Sequence, residues 1–525
     1  MPARTIDSRP AHPVALRAAD LADALGADLI GEDLPLTGAT LDSRTVRDGD
    51  LWIALQGENN HGAEFAAGAL ALGAAAVLTD DAGRTLVESA AASAGVRQPS
   101  ILLAEDPRAL AAPAAHLIYG RPSEAMTVIG VTGTNGKTSI TTMIDRTLAS
   151  MGIASAVVGT NGTFLTDAEG TAFTIPTVRT TPEAPELHGM LAMMRERGVQ
   201  SASLEVSSHA MVLHRADAVR FAVALFTNLS QDHLDFHGTM EAYFEAKRLL
   251  FMPEHAEHGI VCVDDDWGVR LAATAGIPVT TYTTDPQREA DYRITAIRPH
   301  GFGTVSTVES AGAEPFDLIS ALPGTHYAAN SLGVALALQQ TGYPFEEAAE
   351  HLGRSGQVPG RMELVEDGEI RAVVDYSHTP DALHKTLTTM RSLPSVGRVI
   401  CVMGAGGERD RAKRPVMGEV SARAADMVIV TDDNPRTEDP ASIRAAVLEG
   451  ARAEAEHSGA DVIEEGDRAA AIRRALELAQ PSDVVLIAGK GAETGQDVGG
   501  RIIDFDDRAQ VRAFFAQSEG AQNHA

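Results

Sequence analysis

The stretch MTVIGVTGTNGKTS, residues 126–139, constrains this chain more than any other. Met126–Val131 is an apolar run of buried-strand length that leads directly into a turn holding Gly133, Thr134, Asn135 and Gly136. A helix is expected to follow. Strand, glycine-rich turn and helix in that order open an α/β unit built on a mainly parallel sheet. The turn ends in Gly136-Lys137-Thr138-Ser139, where backbone N–H groups and a helix N-terminus form a cradle for phosphate. In such a cradle Lys137 reaches the β- and γ-phosphates and the Thr138 hydroxyl binds Mg²⁺. The strict G-x4-G-K-[ST] spacing is not met, because Val131 fills the first glycine position and Gly130 lies one residue earlier. A glycine-rich turn without a ligand competes for the same residues.

A second stretch, EAYFEAKRLLF at 241–251, raises a different question. Of the 43 Lys plus Arg residues only five are lysine: Lys137, Lys247, Lys385, Lys413 and Lys490. Met240, Tyr243, Phe244, Leu250 and Phe251 follow the spacing of one helix face, and Lys247 falls in the middle of it. An inward lysine loses its charge readily, whereas a lysine at the edge of the face extends its amine to water. Periodicity leaves both open.

At 525 residues the chain exceeds a single compact core. Its net charge of −29 argues against nucleic acid or an anionic membrane as the main partner. Two cysteines, Cys262 and Cys401, without a CxxC pair, make disulfide frameworks and zinc sites poor explanations. The opening residues lack an apolar signal core, and no run approaches a membrane span, so a cytoplasmic protein without membrane insertion is expected. Gly and Pro at 119–125 and 353–361 read as linkers, giving three domains: 1–122, 123–357 and 358–525. The first is small, Ala-rich and mixed, with strands in DLWIAL and AAVLTD. A polar β-rich stretch around 290–320 reads as an insertion or a few antiparallel strands. The last domain repeats strand-then-loop in RVICVMGAGGERD, DMVIVTDDNPR and DVVLIAGKGAETGQ, and residues 518–525 read as a frayed tail.

The turn TGTNGKTS resembles the ATP site of the Mur ligases and of folylpolyglutamate synthetase, which are ATP-dependent amide-forming enzymes. Further motifs narrow the resemblance to the Mur branch that adds the third amino acid of the peptidoglycan stem. They are LDSRTVRDGDLWIALQG, RTTPE, EVSSHAM, FTNLSQDHLDFHG, YFEAKRLLF, PGRME, DYSHTPDAL, GAGGERDRAKRP, DDNPRTEDP and GKGAETGQ, in the family's order along nearly the whole chain. The resemblance implies a central P-loop mononucleotide-binding parallel sheet, flanked by a small N-terminal α/β UDP-binding domain and a C-terminal Rossmann-like α/β domain.

It also implies roles. Glu205 ends a strand, where a carboxylate either faces a ligand crevice or is simply solvated, and His233 lies in a loop. By resemblance both would hold a second Mg²⁺, together with a carbamate formed on Lys247. Asn330, Arg361 and Asp375 would contact ATP. Leu41 and Ser43 would meet uridine, and Thr180, Thr181, Ser207 and Arg215 the UDP-MurNAc-L-Ala-D-Glu substrate. Arg409, Asp433, Asn434, Pro435, Arg436, Gly489 and Glu493 would read the incoming amino acid. A guanidinium suits the far carboxylate of meso-diaminopimelate, which L-lysine lacks, and Glu493 could pair with its distal ammonium. Three residues depart from the family pattern: Arg179 for Asn, Leu213 for Gln and Ala492 for His. The implied enzyme is a monomer whose last domain closes over ATP and the two other substrates. The rivals are an L-lysine-adding relative, a folylpolyglutamate-synthetase-like ligase that would lack the LDSRTVRDGD domain, and a protein that merely switches on ATP.

Overall fold

The computed structural model describes residues 4–57, 59–177 and 179–522. Two compact units emerge. One comprises Met1–Arg293, Ser310–Ala313 and Ala329–Leu352, and the other Ile294–Glu309, Glu314–Ala328 and Gly353–Ala525.

The first unit holds two main sheets. In the smaller, Gly38–Thr40, Asp50–Ile53, Ala76–Thr79 and Ser100–Leu103 run parallel, and Asp28–Ile30 closes one edge antiparallel. Leu51, Ile53, Leu78 and Leu102 pack against Leu21 and Ile118 from flanking helices. The parallel core of the larger sheet runs Ser155–Gly159, Ser201–Glu205, Thr127–Thr132, Phe221–Phe226, Ala256–Cys262 and Val279–Thr283. These strands are covered on both faces, which is why they read as continuous apolar runs rather than alternating ones. Thr127–Thr132, first of the parallel six in the chain, lies between Ser201–Glu205 and Phe221–Phe226. Connections therefore leave it to either side, and its carboxyl end opens on the crevice where such sheets bind ligands.

The stretch 119–125 is no loose linker. Tyr119 is buried, its hydroxyl accepts from Ala39 N–H at 3.1 Å, and Arg195 donates to Gly120 O at 2.7 Å and Tyr119 O at 3.1 Å. Gly and Pro end the preceding helix at Ile118, but the aromatic ring and its hydroxyl seek a core and a partner.

In the second unit, Gly303–Ser310 and Phe316–Ser320 form the expected antiparallel pair. Its main sheet runs Glu363–Asp367, Arg371–Asp375, Val484–Ala488, Val399–Met403, Met427–Val430 and Asp461–Glu464, parallel except for the first edge strand. The three expected strand-then-loop units are neighbours here, so their loops emerge at one end of the sheet. The final helix, Asp507–Gln522, takes in residues expected as a frayed tail, and 523–525 lie outside the described residues. No helix among the described residues is long and apolar enough to cross a membrane.

Candidate active site

The glycine-rich turn joins Thr127–Thr132 to the helix Lys137–Ser150. Gly133 has φ 142°, and a Cβ there would fall 1.9 Å from Thr227 Oγ1, so only glycine fits. The neighbouring strand's end braces the turn. Thr227 Oγ1 donates to Asn135 O at 2.6 Å, Asn228 Oδ1 accepts from Asn135 N–H at 3.1 Å, and Thr134 N–H donates to Asn228 O at 2.8 Å. Neither Thr227 nor Asn228 was singled out in sequence, although both stand in the FTNLS motif. Lys137 curls over the turn, its Nζ 2.9 Å from both Gly133 O and Thr134 O. Thr138 and Ser139 are buried in the helix's first turn. Asn330 joins them, since its Oδ1 lies 3.1 Å from where a Cβ on Gly136 would stand.

Lys247 points inward. Its helix, Met240–Arg248, is capped by Thr239, whose hydroxyl accepts from Ala242 N–H at 3.2 Å. The Lys247 side chain is 2% exposed, with Nζ 2.8 Å from Gly133 O and 4.6 Å from the Tyr243 ring centroid. Two lysines thus meet on one carbonyl oxygen. Burial, then the Lys137 charge, drives the Lys247 amine well below the usual lysine range, and only Asp232 opposes this.

Glu205 ends its strand almost fully buried, not solvated. Its Oε1 accepts from Thr160 N–H at 2.8 Å and its Oε2 from Thr160 Oγ1 at 3.1 Å. Gly159 permits this, because a Cβ there would sit 2.2 Å from Oε1. The same cluster gathers the expected hydroxyls. Thr180 Oγ1 is 3.0 Å from Thr160 Oγ1, and Thr181 Oγ1 donates to Glu205 O at 2.7 Å and lies 3.3 Å from Ser207 Oγ. Arg215 Nε stands 2.9 Å from Glu183, which also pairs with Arg108 at 3.0 Å and Arg179 at 3.7 Å. Three guanidinium groups share one carboxylate. Leu213 follows the short helix Ser208–Val212 that Ser207 caps.

His233 adopts φ 52° at the start of the short helix Leu234–His237. Its ring lies edge-on to His209 at 4.8 Å, with Nε2 3.5 Å from Asp232. Burial lowers its pKa, partly offset by Asp232. Leu41 and Ser43 occupy the turn after Gly38–Thr40, in the smaller sheet.

The second unit holds the remaining candidates. The Arg361 guanidinium lies 4.1 Å over the Tyr376 ring. Asp375 is already engaged: Oδ2 accepts from Met362 N–H at 2.8 Å, and Oδ1 from Ser377 N–H at 2.9 Å, Ser377 Oγ and Thr386 Oγ1 at 3.3 Å. It fixes the chain around Met362, at φ 47°, beside Arg361.

The loops after Val399–Met403, Met427–Val430 and Val484–Ala488 converge. Arg436, at φ 53°, donates through Nη1 to Gly407 O, and Arg409 Cγ lies 3.7 Å from where a Cβ on Gly406 would stand. Asn434 Nδ2 donates to Glu493 Oε2 at 2.9 Å, and Asp433 lies against Gly489, its Oδ2 3.2 Å from where a Cβ would stand. Ala492 packs its backbone against Gly360. Lys490, a rare lysine that also stands in the GKGAETGQ motif, is fully buried among Asn434, Glu493 and Asp433. Beneath them the fully buried pair Arg468–Asp507, at 2.7 Å, also holds Ala488 O at 2.9 Å. A burial-driven network of this kind leaves no periodicity to detect.

The chain is similar to known proteins along most of its length. The Mur ligase family catalytic domain matches residues 35–118, the Mur ligase middle domain 131–338, and the Mur ligase glutamate ligase domain 360–491. A Streptomyces coelicolor protein named UDP-N-acetylmuramoyl-L-alanyl-D-glutamate--2,6-diaminopimelate ligase is 42% identical over 97% of this chain and 99% of its own. A Corynebacterium efficiens protein of the same name is 43% identical over 97% and 96%. A solved structure bearing that name superposes with TM-score 0.65 at 32% identity, covering 96% of this chain and 100% of the other. With three domain matches in chain order and relatives alike over nearly their whole length, the chain belongs to the Mur ligase family.

Proposed function

We propose that the chain is an ATP-dependent ligase that joins meso-diaminopimelate to UDP-N-acetylmuramoyl-L-alanyl-D-glutamate, in cytoplasmic peptidoglycan precursor synthesis. Identity of 42% with the Streptomyces coelicolor protein over 97% of the chain carries this reading. The match at residues 35–118 speaks against a folylpolyglutamate-synthetase-like enzyme. The proposed division into domains falls near residues 122 and 357.

In the proposed reaction the D-Glu γ-carboxylate attacks the γ-phosphorus of ATP, releasing ADP and leaving an acyl phosphate. The meso-diaminopimelate amine then attacks the acyl carbon, and phosphate departs from the tetrahedral intermediate. Lys137 balances phosphate charge at the turn, while Gly133–Ser139 and Asn330 hold the nucleotide in place. Arg361 and Asp375 would add ATP contacts, with Asp375 acting through the backbone it already holds. Thr180, Thr181, Ser207 and Arg215 would orient the dipeptide carboxylates, with Leu41 and Ser43 at the uridine end.

Bound Mg²⁺ would neutralise phosphate charge: Thr138 would hold one ion, and Glu205, His233 and a carbamylated Lys247 would hold a second. As an amine beside Lys137, Lys247 does not suit a cation. Its buried, readily neutral nitrogen does suit attack on CO₂: the N–C bond forms, a proton leaves, and an anionic carbamate results. Carbamylated in this way, the donor set becomes one for a hard cation.

Arg436 favours diaminopimelate over L-lysine, because only the former presents a far carboxylate. The test is product mass with each amino acid supplied separately. Meso-diaminopimelate should yield the UDP-muramoyl-tripeptide and L-lysine should not; robust lysine incorporation would move the enzyme to the lysine-adding branch.

A further inference from the structure

Lys490 follows Gly489 at the end of the strand Val484–Ala488, and its side chain has no exposed surface. Its Nζ lies 2.9 Å from Asn434 Oδ1, 2.8 Å from Glu493 Oε2 and 3.8 Å from Asp433 Oδ1. Asn434 Oδ1 also accepts from Asp497 N–H at 3.0 Å, and Asn434 Nδ2 donates to Glu493 Oε2 at 2.9 Å. Both lone pairs of the Asn434 oxygen therefore meet fixed donors. A flipped amide would set its NH₂ group against an ammonium and a backbone N–H, so this one orientation is imposed. Glu493 is pinned by two donors on the same oxygen, while its side chain stays 37% exposed.

The alternative job for a buried lysine is to neutralise Asp433, which is itself almost wholly buried with Oδ1 unpartnered. The geometry argues for more. Nζ lies within hydrogen-bond distance of Asn434 and Glu493 and beyond it from Asp433.

We propose that Lys490 is a positioning residue that holds Asn434 and Glu493 in the pose receiving the incoming amino acid, and so sets the enzyme's affinity for it. The inference rests on the ligase reading above and extends it to a residue that touches no substrate. The amine recognises the diamino acid indirectly, by orienting one amide and one carboxylate.

A double-mutant cycle on the full-length enzyme tests this, using Lys490→Met, Glu493→Gln and the double variant, with meso-diaminopimelate as the varied substrate. Each single change should raise KM for meso-diaminopimelate by about tenfold or more, the scale of a lost charge-assisted hydrogen bond. KM for ATP and for the UDP-muramoyl-dipeptide should stay within about twofold, and the double variant should be no worse than the worse single one. If Lys490→Met does not fold, Lys490→Gln, which keeps a donor, takes its place in the cycle. An unchanged KM for meso-diaminopimelate, additive effects, or all three KM values rising together would overturn the positioning role alone. Wild-type turnover indifferent to meso-diaminopimelate would instead overturn the ligase reading, and this inference with it.

Discussion

Lys247 and Lys137 donate to the same Gly133 carbonyl, at 2.8 and 2.9 Å. Burial, then the charge of Lys137, lowers the Lys247 pKa well below the usual lysine range and so favours the neutral amine, the form that reacts with CO₂. Arginine cannot supply it, since guanidinium keeps its proton. Lys247→Arg should lower turnover by about 10²–10³-fold or more, the scale of losing one preorganised electrostatic group. Thermal unfolding should show an intact fold, and full activity would reduce Lys247 to a helix residue. Arg436 makes a different demand. Its planar fork is the proposed reader of a carboxylate, so Arg436→Lys should raise KM for meso-diaminopimelate about ten- to hundredfold, matching ~1.5–3 kcal/mol for a charged hydrogen bond. The inward placement of Lys247 is one of the two that its helix-face spacing left open, and the role of Arg436 comes from resemblance alone. Lys490 was visible as a rare lysine within a family motif, but its contact with Asn434 was not, because that residue lies 56 positions away in the chain.

Strand, glycine-rich turn and helix were readable at 126–139 because local chemistry dictates them. What holds the turn was not, since Thr227 and Asn228 reach it from the neighbouring strand, 92 and 93 residues along the chain. Gly133→Ala tests the bracing. A Cβ would strike Thr227 Oγ1, and φ 142° disfavours any side chain, so the turn must move. Saturating ATP should stabilise the wild type by about 2–3 kcal/mol at a hundredfold excess over Kd, and should leave Gly133→Ala unshifted in a thermal melt. An equal shift in both would show that the turn tolerates displacement. The stretch 119–125 carries the converse lesson. Gly and Pro correctly marked a helix end, yet Arg195 and Ala39, both distant in the chain, turned an expected linker into a packed corner.

At the scale of the whole chain, apolar strand runs and three strand-then-loop units made the α/β class legible. Pairing between helices was not. His188, on the helix Ala184–Glu196, meets His116, on Pro107–Ile118, with ring centroids 5.3 Å apart. Burial, then His116, pushes His188 down to about 3, below its unfolded value near 6.5. The folded state therefore refuses a proton that the unfolded chain accepts. Stability is full above about pH 6.5 and falls as pH drops toward 3. Melting temperature should decline between pH 7.5 and 5.5, and His188→Gln should flatten that slope; an unchanged slope would place the acid sensitivity elsewhere. The central claim is tested most directly by ADP release from the wild-type enzyme, with the UDP-muramoyl-dipeptide and meso-diaminopimelate added singly and together. The account predicts sustained release only when both are present with ATP, and release indifferent to both would contradict it.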